Sequence, residues 1–129
     1  MTTNVGIKRA YESMQASDGY RVFVDRLWPR GVSKEDLKFD AWCKDLAPSP
    51  ALRTWFGHKI EHWDEFKANY QTELRAQEQQ ARMHDVLAAA GKQPVTLVYA
   101  AKDPVHNHAR VLAEEMSRLT PAKRKAGSK

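Results

Sequence analysis

One cysteine, Cys43, stands in 129 residues, so an internal disulfide is excluded and a reducing compartment is expected. No apolar run approaches the roughly 20 residues of a membrane-crossing helix. Residues 1–4 lack the basic and apolar regions of a signal peptide, and the cytoplasm is the expected location. The G-x-S-x-G, G-x-x-x-x-G-K-[ST] and G-x-G-x-x-G patterns are all missing. That removes the sequence support for nucleophile-elbow hydrolysis, Walker-type phosphoryl transfer and dinucleotide binding. His58 and His62 are four apart, a spacing that can hold a metal, but no glutamate follows His58 as in H-E-x-x-H. No metal and no cofactor are expected. No internal repeat is visible.

Acidic residues are absent from the last nine positions, where Lys123, Arg124, Lys125 and Lys129 supply four of the five net positive charges. Residues 1–120 then carry a net charge of only about +1. The expectation is one α/β domain over residues 1–120, followed by a basic, disordered tail over 121–129. A chain of this length buries a core without disulfides or metals.

Residues 5–9, 20–26 and 95–101 read as strands. The continuous apolar runs of the last two suit a parallel sheet covered on both faces. Ser33 with Asp36 forms an approximate capping box, and Phe39, Cys43 and Leu46 follow at helical spacing, which predicts a helix ending at Ala47-Pro48. Ser49-Pro50 opens a second helix that Gly57 ends, with Leu52, Trp55 and Phe56 facing inward. Residues 62–90 are helical by pattern, with a break near the polar run 77–80, and Gly91 stops them. Asp103-Pro104 reads as the cap and first residue of a last helix. The alternation predicts a small, mostly parallel sheet of three or four strands flanked by helices.

Ligands of parallel α/β sheets bind beyond the carboxyl ends of the strands. Two predicted strands end in polar clusters. One is Arg26, Trp28 and Arg30; the other is Tyr99, Lys102, Asp103, His106, Asn107 and His108. If the strands are neighbours, these clusters meet. Arginine forks match phosphate or carboxylate oxygens, Trp28 offers a stacking face, and the last helix's first N–H groups add donors. Asp103 and His106 are the candidate bases if chemistry occurs. Structural roles compete: Asp103 as an N-cap, Trp28 as core, and Arg26 or Arg30 paired with Asp25 or Asp103.

Three stretches resemble the YeaO-like family, a domain of unknown function (DUF488): SDGYRVFVDRLWPRGVSKEDL, the run from Trp42 through WCKDLAPSP to Phe56, and VYAAKD with HNHA. The resemblance spans about residues 5–119 and implies a small cytoplasmic α/β protein without an established activity. Its pattern falls on Asp18, Gly19, Arg26, Trp28, Pro29, Arg30 and Gly31. It continues at Trp42, Lys44, Pro48, Ser49, Leu52, Arg53 and Phe56, then at Lys102, Asn107 and Ala109. Asp103 and His106 fall where relatives carry other residues.

The combined expectation is a pocket for a small phosphate- or carboxylate-bearing ligand, perhaps of the nucleotide class. It would be lined by Arg26, Trp28, Arg30, Lys44, Arg53, Tyr99, Lys102 and Asn107. Two alternatives compete: nucleic-acid binding through the tail and the Arg/Trp cluster, and a protein-interaction module with no ligand. No membrane partner is expected.

Overall fold

Four short parallel strands are built from the β-branched and aromatic runs of the chain: β1 (Val5–Arg9), β2 (Tyr20–Phe23), β3 (Ala41–Trp42) and β4 (Val95–Tyr99). They are seen in a computed structural model that describes residues 4–33, 35–103 and 105–119. The sheet order is β1-β4-β2-β3, so β4 enters between the first two strands. Val22 lies opposite Leu97, and Ile7 lies opposite Leu97 on the other side. The two strands singled out by their apolar runs are therefore parallel neighbours.

Alternation along β2 and β4 divides two cores. Val22, Val24, Leu97 and Tyr99 pack with all four helices: α1 (Pro50–Phe56), α2 (Trp63–Leu74), α3 (Gln77–Ala90) and α4 (His108–Leu119). Phe23 and Val98 point to the other face, against Ala10 and Leu37. Among the described residues no helix packs on that face; the loop between β2 and β3 does. Trp28, Phe39 and Trp42 close round Phe23 with ring centroids 5.4–6.3 Å away. Burial on both faces is what the continuous apolar runs predict.

The helix expected between Ser33 and Leu46 does not form. Ser33 accepts from the Asp36 N–H at 3.1 Å, but only one turn follows. The edge of β2 then captures the chain. Asp40 N donates to Arg21 O at 2.7 Å and Cys43 N to Phe23 O at 2.8 Å, which holds residues 40–43 extended. Phe39 goes to the aromatic face and Leu46 to the helical core, so their helical spacing is coincidental.

Elsewhere the caps act as read. Ser49 accepts from Leu52 N, Pro50 opens α1, and Gly57 ends it with φ +52°. Trp55, expected inside, is instead 39% exposed and stacks on His62 at 4.3 Å. The break in the long helical stretch falls at Arg75-Ala76, just before the polar run. The last helix begins at His108, not at Asp103; Pro104 lies outside the described residues. The expected tail over 121–129 lies outside them too. Among the described residues no helix is long and apolar enough to cross a membrane.

Candidate functional site

Just beyond Val24 the central strands part. Val24 N still reaches Val98 O at 3.0 Å, but the next bond is made by a side chain: Asp25 Oδ2 accepts from Ala100 N at 3.0 Å. Trp42 Nε1 donates to Asp25 O at 2.7 Å and fixes the outer side of the notch. His108, the first residue of α4, brings Nε2 within 3.1 Å of both Val24 O and Asp25 Oδ1. At β1, the Arg9 guanidinium donates to Ala101 O at 3.0 Å and Ala100 O at 3.4 Å, tying the exits of β1 and β4 together.

A cleft opens over this notch in two lobes. The outer lobe, of about 320 Å³, is walled by Tyr11, Arg26, Leu27, Trp28 and Arg30, with Asp25 at one side. The inner lobe, of about 220 Å³, is walled by Thr54, Phe56, Phe66, His106 and Asn107. Pro48, Arg53, His58, Ala101 and His108 border both lobes and form the waist between them.

Arg26 is the most constrained cation here. Its Nη2 donates to Pro48 O at 3.3 Å, while its buried Nε makes no hydrogen bond. Among the described residues no carboxylate lies within ion-pair distance of Arg26, Arg30 or Arg53. The pairing of Arg26 or Arg30 with Asp25 or Asp103, weighed from the sequence, is not made.

The expected site residues divide. Arg26, Trp28, Arg30 and Arg53 reach the outer lobe, and Arg53 and Asn107 reach the inner one. Trp28 is held by Nε1 donating to Val32 O at 2.6 Å and is at once cleft wall and aromatic core. Lys44, Tyr99 and Lys102 border neither lobe. Lys44 sits over the Trp42 ring at 4.5 Å. Tyr99 is buried on the helical face, and Lys102 points to solvent.

Asn107 acts as a cap: its Oδ1 accepts from Arg110 N at 2.9 Å and its Nδ2 donates to Asp103 O at 2.8 Å. Asp103 Oδ1 takes the N–H groups of Val105 and His106. Those donors, assigned to a ligand from the sequence, are already spent on side chains of the chain itself.

Asp103 Oδ2 also lies 2.9 Å from His106 Nδ1. The His106 and Val105 N–H groups, helped by the His106 ring, bring the Asp103 carboxyl down to about 2. Such a carboxylate is a weak base at neutral pH. It orients His106 by holding Nδ1 as a donor, which leaves Nε2 as an acceptor beside the Trp63 ring. Burial first, and then Asp45, push the Cys43 thiol up, so it is not an activated nucleophile.

Asp25, Tyr11, Thr54 and His58 were not among the residues expected to line the site, whereas His108 was read in the polar cluster at the second strand exit. His58 carried a signal of another kind. It follows Gly57, and both adopt left-handed backbone, with φ +60° at His58 and +52° at Gly57. Such backbone costs a non-glycine residue on the order of 1–3 kcal/mol. This turn places His58 at the waist, while His62 stacks on Trp55, so the four-residue spacing does not put the two rings on one helix face. Among the described residues no cluster of three or more metal-ligating side chains exists.

These features define a single-domain parallel α/β protein whose central strands open on an arginine-lined cleft. A family model described as "Inactive DUF488-N3 subclade" matches residues 4–128, and the chain belongs to the DUF488 family. It is 44% identical over 117 residues to "Uncharacterized protein YeaO" of Escherichia coli K12, covering 90% of this chain and 99% of the relative. It is 42% identical over 112 residues to "Uncharacterized protein Rv3073c" of Mycobacterium tuberculosis, covering 87% of this chain and 92% of that one. A Mycobacterium bovis relative, "Uncharacterized protein Mb3100c", matches to the same extent. No solved structure matches the chain.

Proposed function

We propose that this is a cytoplasmic binding protein whose cleft holds a small phosphate- or carboxylate-bearing molecule without turning it over. One observation carries the reading: Arg26 keeps a buried Nε without an acceptor, at the wall of an open cleft. An unmet buried donor costs about 1–3 kcal/mol, and more for a charged group. An anion in the cleft would supply the missing charge to the guanidinium, and a small shift of the Arg26 side chain would bring the Nε donor to it. Arg53 and Arg30 add charge, and His58 and His108 add donors when protonated. The description of the matching subclade as inactive agrees with binding in the absence of catalysis.

The test is calorimetry and thermal shift with AMP, inorganic sulfate and a dicarboxylate, on the wild-type chain and on Arg26→Ala. At a hundredfold excess over Kd, one bound ligand adds about 2.7 kcal/mol to stability. The expected outcome is stabilisation by at least one of these anions that Arg26→Ala removes. Stabilisation by none of them, or stabilisation that survives Arg26→Ala unchanged, would end the proposal.

A further inference from the structure

The two lobes are unequal but built alike: each has aromatic walls, and the cation that both share is at the waist. Tyr11 and Trp28 wall the outer lobe, Phe56 and Phe66 the inner one, and Arg53 borders both. Sites for small molecules run from about 300 to 1,000 Å³. The inner lobe at 220 Å³ falls short of that range and the outer at 320 Å³ sits at its floor, whereas the joined cleft lies well inside it.

A lone inorganic anion needs only the cations. It leaves unexplained why large apolar side chains stand exposed at the same cleft, with Leu27 66% and Tyr11 49% accessible. Tyr11 is moreover fixed in place, its hydroxyl donating to Arg30 O at 3.1 Å and its ring under the Arg9 guanidinium at 4.8 Å. A pre-set aromatic face beside arginines is what a flat ring attached to a phosphate requires. The Asp25 carboxylate also borders the outer lobe: Ala100 N holds its Oδ2, while its buried Oδ1, 3.1 Å from His108 Nε2, makes no hydrogen bond.

Deepening the anion-binding reading, on which it rests, we infer that the ligand is two-armed: a phosphodiester or phosphoanhydride whose charged linkage sits at the Arg53 waist and whose ring-bearing arms fill the two lobes. Dinucleotides have this chemistry, and so does a dinucleotide step within a single strand. The outer lobe then contributes a stacking face at Tyr11, the inner lobe contributes apolar contact along the edges of the buried Phe56 and Phe66, and the waist contributes the charge.

The experiment measures affinities of the full chain for adenylyl-adenosine (ApA), AMP and inorganic sulfate by calorimetry. Stacking one more base is worth at least about fivefold, so ApA is expected to bind at least about fivefold tighter than AMP, and sulfate weakest. Thr54 is exposed, so Thr54→Tyr fills the inner lobe with little risk to folding. This variant is expected to remove the advantage of ApA over AMP. A longer oligoadenylate that binds at least as tightly as ApA identifies a strand as the source; one that binds more weakly identifies a free dinucleotide. AMP binding that depends on Arg26, with ApA no tighter, overturns the two-armed inference and leaves the anion cleft intact. No binding by any of the three overturns both.

Discussion

Asp18 carries the largest single electrostatic stake in the fold, and replacing it by asparagine tests how this chain manages buried charge. Its carboxylate receives Arg21 Nη1 at 2.6 Å, Lys8 Nζ at 3.1 Å and Gln15 N at 3.0 Å. The Arg21 side chain is only 4% exposed. Arg21 Nε donates in turn to Lys38 O at 2.6 Å, so the guanidinium cannot swing out to water without breaking a second bond. Asp18→Asn keeps the volume and removes the charge. It leaves a buried arginine without its counter-ion, which costs about 3–5 kcal/mol by analogy with broken buried pairs. With a urea slope of about 1.5 kcal/mol/M, the unfolding midpoint should fall by about 2–3 M at an unchanged slope.

The assay is urea unfolding followed by tryptophan fluorescence at neutral pH. Pairing Asp18→Asn with Arg21→Met should recover part of the loss, because the orphaned charge then goes too. The coupling expected for such contacts is about 0.5–3 kcal/mol. The pH dependence carries the same signature. Burial alone would raise the Asp18 carboxyl, but the Gln15 N–H, Lys8 and Arg21 outweigh it and hold it below its usual value. The contribution is therefore fully present above the unfolded value, about 3.9, and is lost as the pH falls through the folded one. A midpoint loss under about 1 kcal/mol, or additive single variants, would refute the account.

Three further outcomes follow from particular contacts. Gly19→Ala should destabilise by more than about 1 kcal/mol, because φ is +68° and an added Cβ would lie 2.3 Å from Pro94 O; an unchanged urea midpoint would contradict this. Tyr70 is fully buried and donates to Leu46 O, and burial followed by the charges of Glu73 and Asp25 pushes its phenol well up. Its contribution is whole below about pH 10 and fades above it, so Tyr70→Phe should flatten the alkaline limb of a stability–pH profile, and an unaltered limb would count against the assignment. Arg26→Met should leave stability within about 0.5 kcal/mol of wild type or raise it, since an unpaired donor is removed, while anion binding is lost; a destabilisation above about 2 kcal/mol would mark Arg26 as structural.

What the sequence made readable was whatever is decided locally or by one face. Ser49-Pro50 and Gly57 bound α1 because capping needs only the next few residues. The apolar runs of β2 and β4 announced a sheet covered on both sides, and the order β1-β4-β2-β3 places them side by side. Residues 33–46 failed because a helical spacing of Phe39, Cys43 and Leu46 says nothing about a vacant strand edge nearby, and the Arg21 and Phe23 carbonyls compete for the same N–H groups. Of the residues proposed for the site, Arg26, Trp28 and Arg30 beyond one strand and Asn107 beyond another border the cleft, and so does Arg53 of α1, which only the family resemblance pointed to. Tyr99 and Lys102 were proposed on residue type and position in the chain, and Lys44 on the family resemblance; side-chain direction, which none of these fixes, takes them elsewhere. His58 and Tyr11 come from loops whose path depends on what they pack against, so no local pattern places them.

The two ends of the central strands treat charge in opposite ways, and this asymmetry is the strongest physical reason to look for a ligand. At the amino-terminal end of β2, two cations share one carboxylate and are bonded and largely shielded. At the carboxyl-terminal end, Arg26, Arg30 and Arg53 have no ion-pair partner among the described residues, and the buried Arg26 Nε and Asp25 Oδ1 both lack a hydrogen-bond partner. A chain able to satisfy Arg21 so fully is not short of means to satisfy Arg26. Folding alone gives no reason to keep an unmet buried donor, because an apolar side chain of similar length would fill the same wall at lower cost. Natural proteins tolerate such local losses where a site has to be held ready for something that arrives later. The unmet Nε of Arg26 is thus the feature that the proposed anion would have to account for, and the place where its binding is to be sought.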